Sequence, residues 1–354
     1  MKNNDPIVVI GAGKTGRGFI ARLLTDSGRD FILMDKDREL IDRVRQGYSV
    51  EYFDGRAACG IKPFDALHTG DPLAGTALAR ARLVFVAVGL SNLEDVGRGL
   101  NGKLTPGTNV FLCENGDSAS EHLRRTCTIP GNIGFIDAAV FCTTIENGGA
   151  DILSESYDIL PCAGNAILEP MEPLRFLDRM SNFPSLMTRK LFTYNAAAAI
   201  ICYMGWLKGY REFSDGANDD EILACLKHFY HEIGRALCKE YGYSEEDQRN
   251  FAAASLRKFT DRSIKDTIER NGRNPARKLA PTERMVGPLR LIQKYNGDTG
   301  VMERTIAACL KYGQEPGWIE HVGNAGCEKV LEEICGIGRN EELSRKIALE
   351  YEAL

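Results

Sequence analysis

Residues 7–19 read IVVIGAGKTGRGF, and no other stretch limits the possible folds of this chain so tightly. Ile7, Val8, Val9 and Ile10 form a short unbroken apolar run, the pattern of a strand buried on both faces of a parallel sheet. Gly11, Gly13 and Gly16 follow it at G-x-G-x-x-G spacing. In such a turn the first glycine reverses the chain tightly, the second lets main chain approach a pyrophosphate, and the third lets the next helix pack closely on the sheet. Ala12 lies between the first two glycines, and Lys14 and Thr15 read as turn and first-turn residues. A helix beginning near Lys14 aims its free amides and positive dipole end at the diphosphate. Phe19, Ile20, Leu23 and Leu24 give that helix one apolar face.

The same stretch contains GKT, the end of an ATP-binding P-loop. That loop needs a further glycine where this chain has Val8, inside the apolar run, so a P-loop is excluded. The next apolar run, Phe31 to Met34, ends at Asp35. A carboxylate about twenty residues beyond the glycines, at a strand end, accepts hydrogen bonds from a ribose diol and repels a 2′-phosphate. The cofactor expected is therefore NAD rather than NADP.

Further apolar runs, LVFVAV (83–88), NVFLC (109–113) and IGFIDAAV (133–140), alternate with helical segments. This is the pattern of an α/β Rossmann domain with a doubly wound, mostly parallel sheet. Ligands of such sheets lie beyond the carboxyl ends of the strands, which places Gly89, the ENG of 114–116 and the segment after Val140 around one cleft and adds Val88 and Gly89 to the candidate cofactor residues. The domain is expected over residues 1–185, with a small strand-rich extension at 151–185. The remainder, 186–354, reads as all-helical, with helices over 188–212, 219–241, 244–270, 281–296, 299–312 and 325–353.

Composition excludes other classes. Eleven cysteines occur without a C-x-x-C pair or an even framework, and the start MKNNDP lacks a signal peptide's apolar core; a reducing cytoplasm is expected. No apolar run approaches membrane-spanning length, so no membrane partner is expected. A formal net charge of −5 gives no overall attraction to nucleic acid.

Within the helical half, TRKLFTYNAAAAIICYMG is apolar and alanine-rich, interrupted by Lys190 and Asn195. On a regular α-helix residues five apart point about 140° away from each other, so these two do not converge by spacing alone. Their plain structural reading is a lysine reaching towards water and an asparagine capping a neighbour. The HFYHE segment, with His228, His231 and Glu232, lacks H-E-x-x-H spacing and reads as an ordinary amphipathic helix; no metal site is expected.

Taken together and in order, GAGKTGRGFIARLLTDSG, the CENG around Asn115, the GFIDAAV around Asp137, RKLFTYN and IERNGRNPARKLAPTERMVGPL resemble the polyol-specific long-chain dehydrogenases of the mannitol dehydrogenase type. The resemblance implies a metal-independent, NAD-linked enzyme that interconverts a secondary alcohol and a ketone on a polyol, polyol phosphate or sugar acid. That family's signature is a lysine, four residues, an asparagine, two residues and a histidine. Lys190 matches the lysine, a general base, and Asn195 matches the asparagine; Asn115 would add a second contact to the reacting oxygen. The basic stretch RNGRNPARK would lie near the site, with Arg273, Arg277 and Lys278 clamping a phosphate or carboxylate. The chain departs from the family at Ala198, where the histidine belongs, and at Phe141 and Cys142, where an Asp-Arg pair is usual. These departures leave an alternative, an NAD(H)-binding regulatory or sensor protein without turnover.

Overall fold

A computed structural model of the chain describes residues 5–114, 116, 118–128 and 131–354. The chain divides into two compact units, Met1–Pro184 and Ser185–Leu354. Among the described residues the first holds strands β1 (Ile7–Ile10), β2 (Phe31–Asp35), β3 (Tyr48–Tyr52), β4 (Cys59–Ile61), β5 (Asp65–His68), β6 (Leu83–Val86), β7 (Asn109–Cys113), β8 (Gly134–Ala138), β9 (Thr144–Glu146), β10 (Ile152–Ser154), β11 (Leu160–Ala163) and β12 (Leu177–Met180).

Strands β5, β2, β1, β6, β7 and β8 lie side by side and parallel in that order. Numbered among themselves they run 3-2-1-4-5-6, the doubly wound order in which ligands bind where the order reverses, here between β1 and β6. Successive residues of each strand face opposite sides, and both sides are covered. Val9, Phe85 and Phe111 join the core that contains the glycine-turn helix, while Val8, Val84 and Val110 join a second core on the other face. That two-sided burial explains why these strands read as unbroken apolar runs.

A separate four-stranded sheet has the order β4-β3-β10-β9. Its strand β3, YSVEY, alternates buried and more exposed positions because only one face is covered. Residues 151–185 are therefore shared out: β10 completes this small sheet, whereas β11 and β12 extend the large one, β11 antiparallel to β8. Two buried arginines of the first helical segment reach the same region. Arg17 donates to the Ala150 carbonyl at 2.5 Å, and Arg22 pairs with Asp158 at 2.8 Å.

The second unit is helical. Asp219 caps the helix Asp220–Tyr241 by accepting from the amides of Glu221 and Ile222, and Gly242, with φ of +74°, ends it. Other expected boundaries move. The helix expected over 244–270 stops at Thr260, because Asp261 accepts from the Ser263 amide at 2.8 Å and Thr267 starts a new short helix, Ile268–Gly272. The one expected over 325–353 is two, Cys327–Glu333 and Glu342–Ala353. The one expected over 188–212 begins at Phe183 and ends at Leu207, and its middle, Leu191–Asn195, is a π-helical turn. Among the described residues no helix is long and apolar enough to cross a membrane.

Candidate functional site

At the carboxyl end of β1 the glycine turn is built as its spacing demands. Gly11 has φ of +97°, and a Cβ there would stand 2.2 Å from the Ala87 carbonyl oxygen; one on Gly16 would stand 1.8 Å from the Gly11 oxygen. A Cβ on Gly13 would meet nothing within 4 Å, so that side of the turn is open. Lys14 and Thr15 form the first helical residues, with Lys14 exposed. Val8, where a P-loop would need glycine, is fully buried in β1.

Asp35, at the end of β2, accepts the Ala12 amide on Oδ2 at 2.7 Å and the Asp37 amide on Oδ1 at 2.9 Å. Each carboxylate oxygen keeps a further lone pair for a hydroxyl donor. Gly11, Gly13, Asp35, His68 and Val88 line one cleft of about 510 Å³, a size that suits half a dinucleotide. His68 was not singled out in the sequence; its Nδ1 accepts from the Gly70 amide and its Nε2 donates to the Lys36 carbonyl. These residues fit a nicotinamide dinucleotide: a glycine turn with one open side, a helix start, and an anchored carboxylate beside a cleft.

Glu114, the first residue of the ENG segment, has a role that the sequence did not reveal. Its Oε1 accepts from the amides of both Val88 and Gly89, at 2.7 and 2.8 Å. Asn92 donates to the Val88 carbonyl at 2.8 Å. Of the cofactor candidates in this turn, Val88 and Gly89 thus have their amides committed to protein. Burial raises the Glu114 pKa, opposed by those two amide bonds. Its place after the apolar run NVFLC put it at the strand end, but nothing in the sequence showed which amides it holds. Its neighbour Asn115 lies outside the described residues.

In the second unit, the π-turn changes the relation of Lys190 and Asn195. A π-turn closes roughly every four to five residues, since its amides reach back five positions, so residues five apart return to nearly the same side. The divergence expected on a regular helix is thereby corrected. Lys190 is 8% exposed and Asn195 half-buried. Burial pulls the Lys190 amine down to about 7, helped by the nearby positive charges of Lys258 and Arg284. At neutral pH such an amine can give or take a proton.

Further along, Arg273, Arg277 and Lys278 line one cavity together with Arg270 and Arg284, and Ala198 lies in its wall. Lys278 is buried and donates to the Asn271 carbonyl; burial brings its amine to about 8. Arg284 belongs to TERMVGPL and was not among the expected substrate residues, yet it adjoins both amines electrostatically. The HFYHE histidines are engaged with acids, His228 with Asp298 at 2.9 Å and His231 with Glu232 at 3.7 Å. Among the described residues no group of three or more His, Cys, Asp and Glu side chains is arranged to hold a metal ion. Phe141 and Cys142 are buried within the first unit, the Cys142 sulfur 3.3 Å from the Ser154 hydroxyl.

Comparison with known proteins agrees with this layout. Residues 183–317 match the family model "Mannitol dehydrogenase C-terminal domain", and residues 7–149 match "Ketopantoate reductase PanE/ApbA". A mannitol-1-phosphate 5-dehydrogenase of Buchnera aphidicola subsp. Schizaphis graminum is 26% identical, over 97% of this chain and 97% of its own. Among solved structures, a substrate-free D-sorbitol dehydrogenase superposes with a TM-score of 0.78 at 13% identity, over 99% of this chain and 94% of its own. Mannitol 2-dehydrogenase of Pseudomonas fluorescens, in a ternary complex with NAD and D-mannitol, gives 0.73 at 15% identity, over 99% and 92%.

Proposed function

From the similarity of this chain to the mannitol dehydrogenases, we propose that it is a divergent member of that polyol dehydrogenase family, an NAD-dependent oxidoreductase interconverting a secondary alcohol and a ketone on a polyol, polyol phosphate or sugar acid. The observation that supports the reading is Lys190, a buried amine near neutrality, followed at once by the π-helical turn Leu191–Asn195, whose wider pitch favours convergence with Asn195. Bound NAD supplies the hydride acceptor. The glycine turn and its open side at Gly13 receive the diphosphate, and Asp35 takes the ribose hydroxyls with its remaining lone pairs. Glu114 keeps the Val88–Gly89 turn in one conformation by holding both amides.

Lys190 takes the proton from the substrate hydroxyl in oxidation and returns it in reduction. Asn195 donates to the substrate oxygen as negative charge gathers there, and Asn115 is assigned the same part. Because the proton transfer and the oxygen contacts come from side chains, the chemistry is proposed as metal-independent. Arg273, Arg277 and Lys278 are assigned to a negatively charged part of the substrate.

A screen of phosphorylated and free polyols, ketoses and hexuronates for NAD(H) turnover, run beside Lys190→Ala, tests this. Turnover on at least one compound, lost in the variant, is the expected result. Turnover that survives the substitution unchanged removes Lys190 from the chemistry. The loss of the family's histidine at Ala198 supports a second reading, a coenzyme-binding sensor, which NADH binding without turnover across the panel would favour.

A further inference from the structure

Four alanines in a row, 196–199, begin the helix that follows the π-turn, and they are not equivalent. Ala196 and Ala197 are fully buried and Ala199 is 4% exposed, while Ala198 is half-buried. Ala198 lines a cavity of about 340 Å³ whose other walls carry Arg270, Arg273, Arg277, Lys278 and Arg284. No acidic side chain lines that cavity among the described residues. The carboxylates that pair with its arginines are not part of its lining: Asp266 on Arg270 at 2.6 Å, Glu283 on both Arg277 and Arg284 at 3.0 Å, and Glu269 at 3.9 Å from Arg273. Three carboxylates thus face five cations, one of which, Lys278, is 5% exposed. Like charges gathered in a partly desolvated hollow repel one another, and a bound anion relieves that repulsion. Guanidinium forks suit the paired oxygens of a carboxylate or phosphate.

We propose that Ala198 is a specificity-determining residue: by remaining small it opens the arginine-walled cavity to an oxyanion substituent of the substrate, carboxylate or phosphate, with Arg284 as a principal contact. A side chain the size of histidine at 198 would occupy the floor of the cavity and exclude that group. The inference deepens the dehydrogenase reading and rests on it only for the identity of the anion's carrier; the cavity and its charge stand independently.

The test compares full-length wild type, Ala198→His and Arg284→Gln. Calorimetry measures binding of inorganic phosphate, D-gluconate and uncharged D-mannitol, and NAD(H) turnover is followed on neutral and anionic polyols. Wild type is expected to bind one of the anions at least tenfold more tightly than mannitol, and each variant to lose at least tenfold in that affinity while retaining its melting temperature. Tighter gluconate assigns a carboxylate substrate, and tighter phosphate a phosphorylated one. Should Ala198→His fail to fold, Ala198→Val takes its place as the test of size at 198, and Arg284→Gln tests the anion contact in either case. Equal binding of mannitol and anions, or unchanged anion affinity in the folded variants, overturns the proposal. Anion binding without turnover on any compound would remove the dehydrogenase reading and leave the anion site; turnover of neutral polyols without anion binding would do the reverse.

Discussion

Lys190 is where single-residue chemistry is most exposed to test. Its folded-state amine titrates near 7, well below the ordinary 10.5. Alcohol oxidation needs the neutral amine, so kcat/KM for oxidation should rise with pH through about 7, and ketone reduction should fall over the same range. Stability follows with a definite sign. Below about 7 the amine is charged in both folded and unfolded chains, and its burial costs the fold in full. Between about 7 and 10.5 only the unfolded chain holds the proton, so stability rises with pH, and above that window the cost is gone. Lys190→Met should therefore stabilise the fold, on the order of 3 kcal/mol at pH 6 and much less at pH 10, as read from denaturant midpoints. For the coenzyme, Asp35→Asn should weaken NADH at least about tenfold and narrow its advantage over NADPH, since a charge-assisted acceptor is lost. Fluorescence titration with both coenzymes checks it. Glu114→Ala should cost roughly 1–2 kcal/mol, with Glu114→Gln restoring most of it, because two amides lose a shared acceptor.

Elements explain why some of this was legible beforehand and some was not. The strand, glycine turn and acid-terminated second strand could be read because each local signal agreed with its neighbours: an unbroken apolar run, fixed glycine spacing, an acid at the run's end. The small sheet was missed although YSVEY alternates openly, because five residues of alternation between longer helical segments weigh little without knowledge of the partner strands. Lys190 and Asn195 were read with a uniform 3.6-residue period, and nothing in LFTYN announces that the helix widens there. A π-turn is in effect one residue more than an α-turn needs. Deleting Thr193 should convert it to a regular turn, rotate Lys190 relative to Asn195 and abolish turnover. Helical circular dichroism and NADH binding by the first unit should persist. Turnover in the deletion variant would show that the widened turn is not what aligns the pair. Arg284 went unread for another reason: its neighbours in TERMVGPL do not reveal that it shares a cavity with residues 270–278.

At the scale of the whole molecule, an acidic chain of net charge −5 carries a local hollow of concentrated positive charge. Salt screens such a field beyond roughly 8–10 Å. For an anionic substrate KM should rise with ionic strength while kcat holds steady, and for a neutral polyol neither should move; steady-state kinetics between low and physiological salt separate the two. The eleven cysteines are all free thiols, and Cys113, Cys202 and Cys309 are buried as small core residues.

Asp35 already grips the Ala12 amide across the mouth of the glycine turn. The turn is thereby braced by the same carboxylate proposed to receive the ribose. A dinucleotide arriving there finds a finished socket and has little ordering left to drive, so its capture should follow a single concentration-proportional phase in stopped-flow mixing, with no slower rearrangement trailing behind.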